Sequence, residues 1–282
     1  ETADILFDFD ITHHEDLPAL APNLLWIQAT SSGIGQFVQR WGYDRSLPNT
    51  LFTTARGVHA QPLAEFCLMA MLMRSKKLLH IQQEQTRKHW ERYASTDLAG
   101  RTLGIVGVGA VGREVARASR ALRMHAIGVE QQTEGIEPAS LHLDELYPSA
   151  QLHDVLKRSE FLVLSAPHTS ATEKMIGETE LNLLPKGAVL INIGRGALID
   201  EKALIEALSS GHLGDAVLDV FEEEPLPPES PLWELPNVLI SPHSASTSDR
   251  EIGRITDLFC ENLRRFLSGE PLLNRLDVEK LY

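Results

Sequence analysis

Short apolar runs separated by polar, turn-rich segments make up the first sixty residues of the chain. The runs lie at 5–9, 24–29 and 51–54, and prolines and glycines punctuate the segments between them. Apolar runs of this length bounded by turn residues are typical of β-strands, and the intervening segments can form helices or turns. The pattern predicts a small α/β unit at the front of the chain.

From residue 97 to about residue 241 the apolar runs become more uniform. They lie at 103–106, 126–129, 161–165, 188–193, 216–220 and 238–240. Continuous rather than alternating apolar residues predict strands covered on both faces, as in a parallel sheet. Helical patterns such as 201–208 lie between the runs, so this region is predicted to form a doubly wound α/β domain.

Two longer helical patterns flank this region. One follows Pro62 and covers 63–92, and the other is amphipathic over 249–267. A chain of 282 residues exceeds the usual size of one domain. We therefore expect two domains, a smaller one formed by 1–96 with 252–282 and a doubly wound one formed by 97–251.

Composition narrows the range of partners. The net charge is −13 and the pI is near 5.3, which makes nucleic acid and anionic membrane poor partners, because phosphates attract cations. No apolar run approaches the roughly 18–20 residues of a membrane span.

Cys67 and Cys260 lie far apart in apolar helical patterns and predict buried free thiols in a reducing cytoplasm. No ligand set for a metal is apparent, and the start at Glu1 leads us to expect further residues before it.

A glycine loop follows the first strand pattern of the larger domain. Gly107, Gly109 and Gly112, with Ala110 and Val111 between the last two, stand between that strand and a helical pattern over 113–123. In a dinucleotide-binding loop the first glycine permits the turn, the second lets the backbone approach a pyrophosphate, and the third lets helix and strand pack closely. The helix N-terminus then faces the phosphates. The alternative is a structural turn without a nucleotide, but the context favours a Rossmann cofactor domain.

Glu130 ends the next strand pattern, eighteen positions after Gly112. An acid about 20 residues beyond the loop accepts hydrogen bonds from the ribose hydroxyls and repels a 2′-phosphate. No arginine follows within 131–134. The sequence therefore favours NAD (NADH), with NADP not excluded, although Glu130 could also be a solvated strand end.

Three further segments stand at the ends of later strand patterns, where ligands bind in an open α/β sheet. They contain Arg195 between two glycines, Glu224 at the end of a run of three glutamates, and His243 after a proline. Together with the glycine loop and with segments 55–60, 166–172 and 183–187, they resemble the D-isomer-specific 2-hydroxyacid dehydrogenase family. The resemblance covers nearly the whole chain. It departs from the family at the front end, where the first strand and helix are missing, and at His168, where members often carry an apolar residue.

The resemblance implies a role for each member of this trio. His243 is the proton donor and acceptor, since imidazole titrates nearest neutral pH. Glu224 is its carboxylate partner and favours the imidazolium, whereas Glu222 and Glu223 are interpreted as solvated. Arg195 binds the substrate carboxylate through paired hydrogen bonds and polarises the carbonyl.

The resemblance also implies a flavodoxin-like substrate domain, truncated at its N-terminus, and a homodimer to which 63–92 contributes. The expected substrate loop is Ser32, Gly33 and Ile34. Asp219 is expected to hold the nicotinamide carboxamide, although a strand-end acid facing water is the alternative. The other expected cofactor contacts are Pro167, Thr172, Ile193, Gly194 and Ala245.

The expected reaction is hydride transfer between NAD(H) and a small 2-oxo acid or its (R)-2-hydroxy acid. Two alternatives stay open on the same fold. One is oxidation of another small anion such as phosphite, and the other is a non-catalytic, NAD(H)-sensing scaffold of the corepressor type.

Overall fold

The computed structural model describes residues 3–9 and 14–278, and these divide into two compact units. One unit is Glu1–His59 with Ser248–Tyr282, and the other is Ala60–Thr247. The boundaries differ from the expected ones, because residues 60–96 and 248–251 fall in the opposite unit. The physical reason lies in the helix that begins at residue 60, whose buried side chains belong to the core of the larger unit.

The smaller unit contains a three-stranded parallel sheet in the order β1-β2-β3. Its strands are β1 (Ile5–Phe7), β2 (Trp26–Gln28) and β3 (Leu51–Thr53). The helices between them are α1 (Leu17–Leu20), α2 (Gly35–Arg40) and α3 (Tyr43–Ser46). All three strands lie within predicted runs.

Buried polar side chains join the central strand of this sheet to its neighbours. The Trp26 indole donates to Thr53 Oγ1 (2.8 Å), and the Thr53 hydroxyl donates to Gln28 Oε1 (2.9 Å). Asn262, on the C-terminal helix, donates to the same Gln28 oxygen (2.9 Å). Because every group in this chain of bonds has a partner, the burial of these polar atoms carries little penalty.

The larger unit is built on a seven-stranded sheet, all parallel, in the order β10-β9-β8-β7-β4-β5-β6. Its strands are β4 (Thr102–Val106), β5 (His125–Glu130), β6 (Glu145–Pro148), β7 (Phe161–Leu164), β8 (Val189–Asn192), β9 (Asp215–Leu218) and β10 (Val238–Ile240). The chain adds β5 and β6 on one side of β4, then crosses to add β7 on the other. This reversal between β4 and β7 marks the crevice where an open α/β sheet binds its ligands.

Helices cover both faces of this sheet, as the continuous apolar strands predict. The helices of this unit are α4 (Ala60–Lys76), α5 (Leu78–Arg87), α6 (Ala110–Ala121), α7 (Leu152–Leu156), α8 (Glu178–Leu183) and α9 (Glu201–Ser209). Of these, α5 has no buried residue and does not cover the sheet. The last helix of the chain, α10 (Glu251–Leu267), belongs to the smaller unit, where Phe259 and Phe266 stack on Trp26. The doubly wound α/β class is confirmed.

Two expectations about the helices are wrong. The helix predicted over 63–92 breaks at Lys77, whose φ of 55° is left-handed, and its second part ends at Arg87. Cys67 is a buried free thiol as predicted, but the free thiol of Cys260 is exposed. Cys260 lies on an amphipathic helix, where its position relative to the apolar face decides exposure.

The strand β6 has no counterpart among the predicted runs. Its sequence is Glu-Leu-Tyr-Pro, and it pairs on one side only, with β5. An edge strand needs no continuous apolar run, because its outer side faces water, and it tolerates proline.

No helix among the residues that the structure describes is long and apolar enough to cross a membrane.

Candidate active site

The glycine loop lies where the strand order reverses. Gly107 has a φ of 90°, and a Cβ there would come within 2.6 Å of the main chain of Ala166. Gly112 is packed against Gly107 O and Ile105. Helix α6 begins directly after Gly109, where a Cβ would meet nothing within 4 Å. Gly107 and Gly112 are therefore packed tightly against protein, whereas Gly109, at the N-terminus of the helix, is open to an anion.

Glu130 lies at the end of β5 and turns its carboxylate toward this loop. Its Oε2 accepts the Val108 N–H (2.8 Å), and its Oε1 accepts the Gln131 N–H (2.9 Å). The guanidinium of Arg113 donates to Val108 O (3.1 Å), so a cation lies on the same stretch of backbone. Sequence reasoning missed Arg113, because it lies on the helix rather than after the strand.

The segment after β7 rests on the glycine loop. The Ser165 hydroxyl donates to Gly107 O (2.7 Å). Thr172 Oγ1 accepts the Thr169 N–H (2.8 Å) and donates to Pro167 O (2.8 Å), which closes residues 167–172 into a compact turn. Pro167 and Thr172, both expected to contact the cofactor, thus belong to one turn beside the loop.

Arg195 follows β8 in a turn that Asn192 holds. The buried Asn192 side chain accepts the Gly194 N–H (3.1 Å) and donates to Arg195 O (3.0 Å). Gly194 is tight against Ala166 O, and Ile193 is buried, so this turn continues the surface that the previous segments form.

The Arg195 side chain bonds to its own turn, because Nη1 donates to Gly194 O (2.7 Å). Burial lowers the pKa of Arg195, and the charge of Glu224 acts in the opposite direction.

The Arg195 turn touches the turn that carries Glu224. A Cβ on Gly196 would overlap the main-chain carbon and oxygen of Phe221, so the two backbones are in direct contact. Sequence reasoning treated Gly196 as part of a motif only. Its physical role is to bring the arginine and the glutamate together.

His243 and Glu224 form a hydrogen-bonded pair. The distance between His243 Nδ1 and Glu224 Oε2 is 2.7 Å, and Glu224 Oε1 accepts the Phe221 N–H (3.0 Å). A carboxylate at Nδ1 selects the tautomer with its proton on that nitrogen when the ring is neutral, and it stabilises the imidazolium. Nε2 is then the ring nitrogen able to exchange a proton with a substrate.

Asp219 shapes the turn in which His243 lies. Its Oδ1 accepts the Ser241 hydroxyl (2.5 Å) and the amides of Ser244 and Ala245 (both 2.9 Å), and its carbonyl accepts the His243 N–H (2.9 Å). These bonds hold His243 at a φ of 52°. Asp219 is thus a buried, bonded carboxylate, which excludes the alternative of a strand-end acid facing water. Neither this role nor Ser241 was predicted, because the contacts join residues more than twenty positions apart.

The expected substrate loop lies in the other unit. Ser32 and Gly33 are exposed, while Ile34 is buried in that unit's core and precedes α2. The Ile34 side chain is therefore unable to contact a ligand at the surface, and any contact from this residue must come from its backbone. The residues that the structure describes hold no cluster suited to a metal ion.

A family comparison agrees with this geometry. Residues 68–245 match the model described as D-isomer specific 2-hydroxyacid dehydrogenase, NAD binding domain. The chain belongs to this family. The matched span includes the glycine loop, Glu130, Arg195, Glu224 and His243.

Several curated relatives of this 2-hydroxyacid dehydrogenase are named as enzymes. A glyoxylate reductase of Korarchaeum cryptofilum is 33% identical over 233 residues, which are 80% of this chain and 69% of that protein. A D-3-phosphoglycerate dehydrogenase of Methanocaldococcus jannaschii is 33% identical over 223 residues, which are 78% of this chain and 41% of that one. The chain is therefore an oxidoreductase of the 2-hydroxyacid dehydrogenase type.

Solved structures of the same family superpose over nearly the whole chain. The D-isomer specific 2-hydroxyacid dehydrogenase of Xanthobacter autotrophicus, in complex with NADPH and MES, gives a TM-score of 0.86 at 30% identity and covers 99% of this chain and 85% of that one. The NADPH-dependent glyoxylate/hydroxypyruvate reductase of Sinorhizobium meliloti, in complex with NADP and sulfate, gives 0.86 at 29% identity, with coverages of 99% and 86%. A nicotinamide cofactor is thus supported for this dehydrogenase.

Proposed function

We propose that this dehydrogenase reduces a small 2-oxo acid to the (R)-2-hydroxy acid with NADH, and catalyses the reverse oxidation. The observation that carries the proposal is the His243–Glu224 pair, because a reduction of this kind needs a proton donor for the carbonyl oxygen. The contact between Gly196 and Phe221 holds Arg195, a cation suited to a carboxylate, beside that pair.

The glycine loop fits a dinucleotide. Gly107 allows the turn, and the open N-terminus of α6 at Gly109 suits the pyrophosphate. We assign further contacts to the turns that surround this loop. They are Ala110, Val111, Gly112, Glu130, Pro167, Thr172, Ile193, Gly194, Asp219 and Ala245. When bound, the nicotinamide supplies the hydride that reduces C2 of the substrate.

The residues of the chain supply binding and the proton. Arg195 binds the substrate carboxylate through paired hydrogen bonds. As the hydride reaches C2, the electron pair of the carbonyl bond moves to oxygen and takes the proton of His243 Nε2. Glu224 stabilises the imidazolium before this transfer. In oxidation the neutral ring accepts the hydroxyl proton while C2 loses the hydride.

We propose NADH as the preferred cofactor, with Glu130 as the determinant. Its carboxylate lies at the loop, where it would bind a ribose diol and repel a 2′-phosphate. Arg113 acts in the opposite sense, since a guanidinium beside the loop can pair with a phosphate. Since two related structures hold NADP(H), the ratio of turnover with NADH to turnover with NADPH tests this assignment of Glu130.

A homodimer completes the proposal. Helix α5 has no buried residue, and the segment after it exposes Trp90 almost fully (96%) and Tyr93 in part. Apolar surface of this kind typically packs against a partner, and we assign a second copy of the chain to it.

We also propose the reducing cytoplasm as the location of the protein. The free thiols Cys67 and Cys260 are consistent with it.

A substrate panel tests the proposed function. NADH oxidation is followed with glyoxylate, hydroxypyruvate, pyruvate and phosphohydroxypyruvate, and NAD⁺ reduction with phosphite. We expect turnover with at least one oxo acid and none with phosphite. Tight NADH binding without turnover of any oxo acid would contradict the proposal in favour of a sensing scaffold, and turnover of phosphite alone would favour the other small-anion dehydrogenase.

A further inference from the structure

Glu222 is exposed, as the sequence suggests, yet its side chain also bonds to the protein. Its Oε1 accepts the Glu201 N–H (3.1 Å) at the first position of α9, and its own N–H donates to Glu201 Oε2 (3.3 Å). Each glutamate thus bonds the backbone of the other. Glu223, between Glu222 and Glu224, has no hydrogen bond or ion pair with any residue that the structure describes.

A lysine joins this reciprocal pair. Lys174 Nζ lies 3.0 Å from Glu222 Oε1, and the Lys174 N–H donates to Ala197 O (2.7 Å). Lys174 therefore anchors the end of the segment 165–174 both to the turn after Arg195 and to the turn that carries Glu224. The backbone of Lys174 is left-handed (φ 48°), a conformation that residues other than glycine rarely adopt.

The charges of this group depend on one another. Two carboxylates so close repel each other, and a cation between them offsets the repulsion. Burial raises the pKa of Glu201, and the nearby charges of Glu222 and Glu223 act in the same direction. The hydrogen bond to Glu222 raises the pKa of Lys174, with Asp200 and Glu173 as further acidic neighbours. The charge of Lys174 therefore offsets the repulsion between Glu222 and Glu201.

The Glu224 carboxylate depends on the geometry of this same turn. It bonds the Phe221 N–H and His243 at once, so a shift of residues 221–224 would move it away from the imidazole. Gly196 restrains the backbone of the turn from Phe221 to the Glu222 nitrogen. The Glu222 side chain is held separately, by the Glu201 N–H and by Lys174.

We propose that Lys174, Glu222 and Glu201 form a clamp that positions Glu224 against His243. The three are positioning residues that act on proton transfer through Glu224. The inference rests on the proposed function for its catalytic consequence, but the positioning itself can be observed without substrate.

Lys174→Met separates positioning from simple electrostatics. Loss of a nearby cation by itself would favour the imidazolium and move the titration of the His243 ring to higher pH. Release of the clamp would instead weaken the Glu224 contact and move that titration to lower pH. NMR titration of labelled histidines, with His243 assigned from His243→Asn, measures the sign. We expect a shift to lower pH. No such shift is expected from the control Lys202→Met, which removes the same charge from a side chain without a hydrogen bond or ion pair to any residue that the structure describes.

A second pair of variants tests whether the effect passes through Glu224. In a Glu224→Gln background, Lys174→Met should no longer lower the pH at which the His243 ring titrates. In the parent background, Lys174→Met and Glu222→Gln should each reduce turnover on the order of tenfold, because a misplaced group far from the chemistry can cost up to about a hundredfold. NADH affinity, measured by fluorescence, should stay unchanged.

A shift to higher pH in Lys174→Met, or equal shifts in both backgrounds, would overturn the clamp. Thermal unfolding of Glu222→Gln, which keeps an acceptor for the Glu201 N–H, shows whether the variants are folded. If the parent enzyme turned over no oxo acid, the proposed function would fail, while the titration shift would still decide the clamp.

Discussion

At the scale of single residues, the backbone of His243 is as important as its ring. Its left-handed φ and the bonds from Asp219 aim the side chain at Glu224. His243→Asn is therefore the best probe, because asparagine tolerates this backbone but transfers no proton. We expect turnover to fall on the order of 10²–10⁴-fold with NADH affinity retained, measured by steady-state kinetics and fluorescence titration. Survival of activity would show that the proton comes from another group.

Arg195 is predicted to act through geometry as well as charge. The Asn192 side chain fixes its turn, so the planar guanidinium can make two parallel bonds to a carboxylate. Arg195→Lys keeps the charge and loses the pairing. We expect a large fall in kcat/KM for the oxo acid, whereas Arg113→Lys, on α6 beside the glycine loop, should leave the KM of the oxo acid unchanged. Unaltered kinetics in Arg195→Lys would remove Arg195 from substrate binding.

Glu130 is predicted to set the choice of cofactor. Glu130→Ser removes the carboxylate that faces Val108 and leaves Arg113 in place. We expect the ratio of kcat/KM for NADH to that for NADPH to fall by at least about tenfold, which corresponds to 1.4 kcal/mol. An unchanged ratio would assign the preference to other residues.

At the scale of elements, the site depends on the contact between the turn at Gly196 and the turn at Phe221. A Cβ at Gly196 would overlap the backbone of Phe221, and no rotation of a side chain can relieve that overlap. We expect Gly196→Ala to destabilise the protein by about 3 kcal/mol, the upper range for overpacking, and to abolish activity. Gly253→Ala in α10 meets nothing within 4 Å and should change stability by no more than about 1 kcal/mol. Chemical denaturation measures both, and equal effects would contradict this account of Gly196.

The elements also show how far sequence reasoning reaches. The runs 103–106 and 161–165 are predictable as strands because both of their faces are covered and all but one of their positions, Ser165, are apolar or glycine. β6 is not, since an edge strand of mixed composition carries no such signal. Arg195 and His243 are predicted from motifs at strand ends, and their roles stay predictions. The contacts of Gly196, Ser241 and Glu222 are not predictable, because they depend on residues about twenty or more positions away that only folding brings together.

At the scale of the whole molecule, the exposed apolar surface after α5 predicts self-association. Trp90→Glu places a charge in that surface, so we expect the sedimentation equilibrium of this variant to shift toward monomer. Ile252→Glu, at a position of α10 in the other unit that is also largely exposed (80%), serves as the control and should not shift it. A parent protein that sediments as a monomer would contradict the assignment.

The central claim is that a hydride passes from the cofactor to C2 of a 2-oxo acid while His243 supplies the proton. Reduction of glyoxylate or hydroxypyruvate by NADH carrying deuterium at the transferable position of C4 tests this directly. The account predicts deuterium on C2 of the hydroxy acid with the parent protein, and loss of nearly all product with His243→Asn. Consumption of NADH without deuterium on C2, or no product from the parent protein with either acid, would contradict it.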